Sequence, residues 1–361
     1  MIEKVAPIAV DAMGGDHAPG AIVQGAVNAA RKGLPVILVG PEARVREELA
    51  RHGASPSLPI EVHNATEWVE MDDHPGQAMR RKKDNSIRVC FELVSSGRAC
   101  AMVSAGNSGA VMAGAIFVLG RPAGVERPAL VTPLPTLKGG SIMLDMGAVV
   151  DAKPIHLVQF GLMGEVWARR VLGVARPRVA ILANGEEDSK GTELTRAASA
   201  ALRRSTLDFV GYCEGRDLLT GEFDVIVTDG FTGNVALKAM EGTAKVFGEY
   251  LKRAFHSSPR AKLGGLLTRP ALEGMKRRMD WREVGGAPLI GVNGVGYISH
   301  GSSDALAIEN SIRRAGEAAR SHFTDEIAQA VAPTEALLAA AEAAAASPAS
   351  NTAPRANQRD A

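Results

Sequence analysis

Residues 225–234 read Val-Ile-Val-Thr-Asp-Gly-Phe-Thr-Gly-Asn, an apolar run that ends in a polar, glycine-containing turn. The apolar run predicts a buried strand, and the turn with the pattern after it predicts the start of a helix. The same pattern recurs at residues 8–16, 102–109, 179–185 and 297–304. Strand–turn–helix units repeated in this way indicate an α/β fold with a mostly parallel sheet.

Most of the remaining strand candidates are also short, apolar and rich in valine and isoleucine, as strands covered on both faces are. We therefore expect a three-layer α/β/α arrangement and one α/β domain over residues 1–331. The full set of strand candidates is 8–11, 36–39, 60–63, 101–104, 141–145, 178–183, 207–211 and 225–228. Residues 332–361 are alanine-rich and then polar, which predicts a short helix and a disordered tail.

One segment departs from this alternation. Apolar residues at helical spacing from Val235 to Phe255 predict a long amphipathic helix, and a second amphipathic stretch follows Pro259. Residues 252–282 contain nine Lys or Arg against two acids, in a chain whose formal net charge is +1. This basic helical hairpin, about 235–282, is either a solvated face or a docking surface for an acidic protein or an anionic membrane. The candidate docking residues are Lys262, Leu263, Leu266, Leu267, Arg269, Lys276, Arg277 and Arg278.

Composition narrows the function classes. The near-neutral charge predicts no general attraction to nucleic acid. Three cysteines without a C-x-x-C pair favour a reducing, cytoplasmic setting and no zinc ribbon. The sequence has no G-x-G-x-x-G, no G-x-x-x-x-G-K-[ST] and no G-x-S-x-G motif. The histidines do not pair with carboxylates at ligand spacing, so we expect neither a metal nor an organic cofactor.

The glycine turns predict an oxyanion site. A strand that leads through a glycine turn into a helix places unpaired backbone N–H groups and the positive end of the helix dipole together, and this binds phosphate or carboxylate. The carboxyl ends of parallel strands meet at one edge of a sheet, where ligands of such folds sit. Five such turns in one chain favour an anion-binding enzyme over a structural protein.

Several motifs are long enough to carry a resemblance. Residues 11–19, 104–110, 185–191, 229–234 and 300–303 resemble the signatures of the PlsX family, in order and over about residues 8–320. The resemblance implies transfer of an acyl group from acyl-[acyl carrier protein] to inorganic phosphate in bacterial phospholipid synthesis. It also implies a fold similar to phosphate acetyltransferase and the isocitrate/isopropylmalate dehydrogenases, a homodimer, a membrane contact and a downstream membrane glycerol-phosphate acyltransferase. The family motif D-x-G-A-N-x-D appears here with Val149 in place of asparagine.

This reaction needs a site that holds a phosphate dianion beside a thioester and stabilises the developing oxyanion. We expect Lys190 to be the main cation, with Asn234 and Thr232 as donors and Gly233 allowing close backbone approach. Asp229 would orient Lys190 or a backbone loop. A surface lysine and simple helix capping are the alternatives.

The other turns supply the remaining candidates. His300 would bond phosphate or protonate the leaving thiolate. The further candidate phosphate-binding or substrate-binding residues are Gly14, Gly15, Asp16, Ser104, Asn107, Ser108, Ser302 and Ser303. Structural turns and capping are again the alternatives. Two rival functions remain: an NAD-dependent dehydrogenase of the same superfold, and a non-catalytic scaffold for lipid synthesis.

Overall fold

The computed structural model describes residues 6–346, with the side chains of residues 276–279 and 281 excepted. Within this part of the chain, twelve strands form two sheets. The strands are β1 (Ile8–Asp11), β2 (Val36–Gly40), β3 (Ile60–Asn64), β4 (Ala101–Ser104), β5 (Ala129–Leu130), β6 (Thr132–Thr136), β7 (Gly139–Leu144), β8 (Arg178–Leu182), β9 (Asp208–Cys213), β10 (Val225–Val227), β11 (Ala287–Ile290) and β12 (Gly296–Ile298).

The first sheet has the order β3-β2-β1-β4-β12-β11-β5, and the second has the order β6-β7-β10-β8-β9. All neighbours pair in parallel except those of β11 in the first sheet and β6 in the second. The chain passes from one sheet to the other at Val131, whose amide donates to the carbonyl of Pro288 at 3.0 Å. The two sheets therefore meet at β5, β6 and β11.

Helices separate most of the strands. Those of the described residues are α1 (Gly20–Arg31), α2 (Glu42–Arg51), α3 (Pro75–Arg81), α4 (Ser86–Ser95), α5 (Ser108–Gly114), α6 (Pro154–Val171), α7 (Glu193–Leu202), α8 (Gly230–His256), α9 (Pro259–Met279), α10 (Trp281–Val284), α11 (Ala305–Arg320), α12 (Thr324–Val331) and α13 (Thr334–Ala346). A π-helical turn, Ala115–Leu119, continues α5. None of these helices combines the length and the apolar character that a membrane span requires.

The core consists of two apolar layers, one on each face of the sheets. Because side chains alternate along a strand, Ile8 and Val10 belong to a layer with α1, α6 and α11, whereas Ala9 belongs to the opposite layer with α3 and α4. Both layers contain residues of both sheets, such as Leu144 in the first and Met143 in the second. The fold is thus the predicted three-layer α/β/α arrangement, while the domain limits stay a prediction.

The sequence pattern located most strands and missed others. Eight of the observed strands lie within about two residues of the eight expected segments, and β12 contains the apolar run at Tyr297. β5, β6 and β11 were not expected. Each is short or contains proline, such as Pro133 and Pro135 in β6 and Pro288 in β11. Proline has no N–H to donate to a neighbouring strand and is therefore rare in strands. A segment that contains it does not show the sequence pattern typical of a strand.

The basic helical hairpin is formed by α8 and α9. α8 begins at Gly230, five residues before the expected start, because Asp229 caps it by accepting from the amide of Thr232 at 2.8 Å. Phe255 packs against Gly265 where the two helices meet. Beyond its first turns α8 is largely exposed, so the hairpin projects from the sheets.

The alanine-rich segment after Ala332 contains α13, which packs against α6 and α7. Thr334 and Ala341 are its buried residues. The rest of the expected tail, residues 347–361, lies outside the described residues.

Candidate active site

Three of the five glycine turns lie together at one edge of the seven-stranded sheet. They follow β1, β4 and β12, which are parallel neighbours, so their carboxyl ends share an edge. The turn after β12 is tied to β4 by the amide of Ser299, which donates to the carbonyl of Ser104 at 2.8 Å. We call residues 11–16, 104–109 and 299–304 the Asp11 cluster.

A buried carboxylate organises this cluster. Ser104 Oγ donates to Asp11 Oδ2 at 2.6 Å, and the amide of Met13 donates to Asp11 Oδ1 at 3.1 Å. Ser104 Oγ also accepts from the amide of Gly106 at 3.0 Å. Burial raises the pKa of the Asp11 carboxyl, although these hydrogen bonds oppose the rise. Asp11, which was not among the site residues predicted from the sequence, therefore holds the turns after β1 and β4 together.

Glycine is required where the turns meet. A Cβ on Gly14 would lie 2.5 Å from Asp11 Oδ2 and 2.6 Å from the Gly106 nitrogen. Gly15 has a φ of +104°, a conformation that favours glycine. The amide of Asp16 donates to the carbonyl of Gly301 at 2.8 Å, which joins the first turn to the turn after β12.

The side chains of Ser104 and Asn107 hold loops in place. Asn107 accepts from the amide of Ala110 at 3.0 Å and so caps α5. Its Nδ2 donates to the carbonyls of Met71 at 3.1 Å and Asp73 at 3.0 Å. Direct contact of Ser104 or Asn107 with a substrate stays a prediction. Ser108, the first residue of α5, is exposed beside them.

His300 lies exposed in the turn after β12. Its Nδ1 is 2.8 Å from Ser302 Oγ and accepts from the amide of Ser302 at 3.2 Å. Ser303 is buried, and its hydroxyl finds no hydrogen-bond partner in the described part of the chain. A buried hydroxyl without a partner is costly, and a bound water or ligand is the usual reason for one.

The other two turns lie on the five-stranded sheet, after the parallel neighbours β10 and β8. At the first of them, Asp229 caps α8 by accepting from the amide of Thr232, and its role in orienting Lys190 or a backbone loop stays a prediction. Thr232 and Asn234 are exposed, whereas Gly233 is buried. A Cβ on Gly233 would overlap the carbonyl of Asp145, at the end of β7. Only glycine fits there.

Lys190 lies in the turn after β8. Asn184 Oδ1 accepts from the amide of Gly191 at 2.9 Å and closes this turn. Lys190 is exposed, and within residues 6–346 its ammonium group makes no ion pair. Its aliphatic part lies over Gly185, where a Cβ would be 2.6 Å from Lys190 Cγ. The ammonium group is thus available to an anion.

The five turns therefore belong to two different sheets. The Asp11 cluster is on the seven-stranded sheet, and the turns with Lys190 and Asn234 are on the five-stranded sheet. The sequence predicted the turns but not this division. In the described residues, no group of three or more His, Cys, Asp or Glu side chains is placed to hold a metal ion.

The structure also explains the departure at Val149. Its amide donates to Asp145 Oδ2 at 2.6 Å, and its carbonyl accepts from the amide of Gly230 at 2.9 Å. The Val149 side chain is buried in the apolar layer that contains Ile8. Both polar contacts use the backbone, which valine supplies as well as asparagine does.

The candidate docking residues lie on α9. Leu263, Leu266 and Leu267 are 60%, 64% and 74% exposed. Lys262 is also exposed, and Arg269 pairs with Glu273 at 2.8 Å. The side chains of Lys276, Arg277 and Arg278 lie outside the described residues. Leucines this exposed form a projecting apolar surface with cations beside it.

The sequence matches the model of the fatty acid synthesis protein family over residues 6–326. A phosphate acyltransferase from Anaeromyxobacter sp. (strain K) is 82% identical over 338 residues, which cover 94% of each chain. A phosphate acyltransferase from Trichlorobacter lovleyi is 53% identical over 323 residues, which cover 89% of this chain and 93% of the relative.

Solved structures share the fold at low identity. A phosphotransacetylase from Streptococcus pyogenes has a TM-score of 0.59 at 17% identity and covers 88% of this chain and 95% of its own. A 4-hydroxythreonine-4-phosphate dehydrogenase from Klebsiella pneumoniae has a TM-score of 0.53 at 18% identity and covers 88% of this chain and 99% of its own. At such identities the likeness concerns the fold alone.

Proposed function

The chain belongs to the fatty acid synthesis protein family, the PlsX family that its motifs resemble, and we propose that it transfers a fatty acyl group from acyl-[acyl carrier protein] to inorganic phosphate. The similarity over 94% of the chain to a relative described as a phosphate acyltransferase carries this proposal. The product is an acyl phosphate, a precursor for phospholipid synthesis.

In the proposed reaction a phosphate oxygen attacks the carbonyl carbon of the thioester. The carbon–oxygen bond to phosphate forms, the carbon–sulfur bond breaks, and the thiolate of the carrier leaves with the electron pair and takes up a proton. No covalent enzyme intermediate is needed. The protein must bring two substrates together and offset negative charge.

We assign the charge-bearing roles to the turns on the five-stranded sheet. Lys190 lies in the turn after β8 and makes no ion pair with the described residues, and the neighbouring strand leads into α8. The amides of Gly230 and Thr232 already donate to the Val149 carbonyl and to Asp229, so the start of this 27-residue helix would contribute the positive end of its dipole together with the side chains of Asn234 and Thr232. These groups would hold phosphate and stabilise the oxyanion.

The Asp11 cluster would hold the thioester and support proton transfer, and the reaction requires it to face the turns of the five-stranded sheet closely enough for the phosphate oxygen to reach the thioester carbon. Asp16, Ser108 and Ser302 are exposed residues of the turns in the Asp11 cluster. His300 is within hydrogen-bond distance of Ser302 and is the proposed donor of a proton to the thiolate. The remaining proposed substrate-binding residues of this cluster are Gly14, Gly15, Ser104, Asn107 and Ser303.

The proposed partners follow from the reaction. They are the acyl carrier protein, a second copy of the chain in a homodimer, and a membrane glycerol-phosphate acyltransferase that consumes the product. The basic helical hairpin would serve as the docking surface for the acidic carrier or for an anionic lipid surface. Exposed leucines beside cations support a contact of this kind. The proposed location is the cytoplasm, with peripheral attachment to the membrane.

A thiol-release assay tests the function. Purified protein is mixed with acyl-[acyl carrier protein] with and without inorganic phosphate, and free carrier thiol is followed. We expect release only with phosphate, with acyl phosphate formed in equal amount. Release at the same rate without phosphate would identify a hydrolase. Reduction of NAD by a hydroxy acid, with no thiol release, would favour the dehydrogenase alternative.

A further inference from the structure

Asp145 follows β7 and lies directly under the first turn of α8. Its carboxylate accepts four backbone amides. Oδ1 accepts from Leu130 at 3.0 Å, from Gly147 at 3.2 Å and from Ala148 at 3.1 Å. Oδ2 accepts from Val149 at 2.6 Å. The residue is fully buried, and its carboxylate makes no ion pair in the described part of the chain.

This network reaches α8 on both sides of its capping residue. The amide of Asp145 donates to the carbonyl of Thr228 at 2.9 Å, one residue before Asp229. The carbonyl of Val149 accepts from the amide of Gly230 at 2.9 Å, one residue after Asp229. The loop that Asp145 folds therefore fixes where the helix begins.

Close packing strengthens this connection. A Cβ on Gly230 would lie 2.7 Å from Asp145 Oδ2 and 2.8 Å from the Val149 carbonyl oxygen. Gly147 faces Asn234, and a Cβ there would lie 3.4 Å from Asn234 Nδ2. The loop thus surrounds the first turn of α8, which carries the side chain proposed to bind phosphate.

We propose that Asp145 is a positioning residue for phosphate binding, acting through Val149 and Gly230 to set the place of the α8 N-terminus and of Asn234. This inference rests on the proposed function, since it takes phosphate as the ligand at α8. Burial raises the pKa of the Asp145 carboxyl, and four amide donors oppose that rise. Burying a carboxylate costs free energy of folding. A role in holding the phosphate-binding groups in place would explain why the chain keeps one at this position.

Asp145→Asn tests the proposal, because its amide nitrogen would face N–H donors and loosen the loop. We expect the KM for inorganic phosphate to rise about 10- to 100-fold, because a small displacement of the phosphate-binding groups is enough to cause a loss of this size. The KM for acyl-[acyl carrier protein] should stay within about twofold, because none of the Asp145 hydrogen bonds described above reaches a residue of the Asp11 cluster. High phosphate should restore the rate.

Asp224→Asn is the matched control. Asp224 accepts from the amide of Arg178 at 2.8 Å and from its Nε at 2.9 Å, where β8 and β10 begin, at the opposite edge of the same sheet. It should lower stability and leave both KM values unchanged. If Asp145→Asn and Asp224→Asn change the kinetic constants alike, Asp145 is only structural and the proposal is overturned.

A second variant and a second measurement keep the proposal testable if Asp145→Asn does not fold. Gly147→Ala places a methyl group against Asn234, at a φ of +132°, and should also raise the phosphate KM. Phosphate should raise the thermal unfolding midpoint of the wild type and not of the two site variants. Equal phosphate-induced shifts in wild type and Asp145→Asn, or unchanged phosphate constants in folded Gly147→Ala, would contradict the proposal. A wild type without phosphate-dependent thiol release would instead refute the proposed function, and the thermal shift would still decide the role of Asp145.

Discussion

The hydroxyl of Ser104 donates to the buried carboxylate of Asp11 at 2.6 Å, and this bond joins the turns after β1 and β4. Ninety-three residues separate the two side chains along the chain. Asp145, after β7 of the other sheet, accepts from the backbone amides of its own loop and of Leu130. Each proposed substrate-binding edge is thus built around a buried aspartate that need not touch substrate.

Ser104→Ala should destabilise the protein by about 1–3 kcal/mol, because the buried Asp11 carboxylate loses a donor and the Gly106 amide loses its acceptor. Chemical denaturation of the variant and of Ser108→Ala measures this. Ser108 is exposed, and its removal should change the free energy of unfolding by less than about 0.5 kcal/mol. Equal effects at the two positions would contradict the structural role of Ser104.

The stability contributed at Asp11 should depend on pH. Because its folded-state pKa is raised, the folded protein binds more protons than the unfolded chain between the ordinary and the raised pKa. Stability from this group therefore falls as pH rises through that range. Burial raises the pKa of nearby Cys90 well above its usual value, so this thiol stays neutral there. Relative to Asp11→Asn, wild type should gain stability on acidification, as measured by denaturation at several pH values.

Lys190→Ala should reduce phosphate-dependent thiol release by about 10²-fold or more, since the cation proposed to bind the phosphate is removed. The exposed side chain makes no ion pair in the described residues, so thermal unfolding should be unchanged. Gly185→Ala, which displaces the Lys190 stem, should give a smaller loss. Normal turnover by Lys190→Ala would exclude this lysine from the mechanism.

Charge reversal on the basic helical hairpin should weaken docking. Arg260→Glu with Lys262→Glu should lower binding to anionic vesicles or to the carrier protein, most clearly at low salt. Arg46→Glu with Arg51→Glu on α2 changes the net charge equally and should have little effect. Co-sedimentation with vesicles and titration with carrier protein separate the two partners. Undiminished binding of both partners at low salt would dismiss the hairpin as a docking surface.

Activity should survive treatment with a chelator. The proposed mechanism relies on Lys190, the α8 dipole and side-chain donors for charge stabilisation, and the described residues include no metal-binding group of three or more side chains. The measurement is thiol release before and after EDTA treatment and gel filtration. Loss of activity that Mg²⁺ or Zn²⁺ restores would overturn the metal-free mechanism.

The sequence by itself determined nine of the twelve strands, the glycine turns and the two-helix hairpin. These features are local: apolar runs, glycine positions and helical spacing are set by neighbouring residues, and motifs such as 229–234 carried the family resemblance. The sequence pattern did not predict β5, β6 and β11, because these segments become strands through pairing with their neighbours rather than through their own residues.

Only the tertiary structure decided which turns meet. Asp11 and Ser104, or Asp145 and Gly230, become neighbours through strand order, and a strand order of 3-2-1-4-12-11-5 cannot be deduced from local pattern. The division of five similar turns between two sheets has the same origin. Hydrogen bonds between distant residues form only once the sheets assemble, so the roles of the two buried aspartates were visible only in the folded chain.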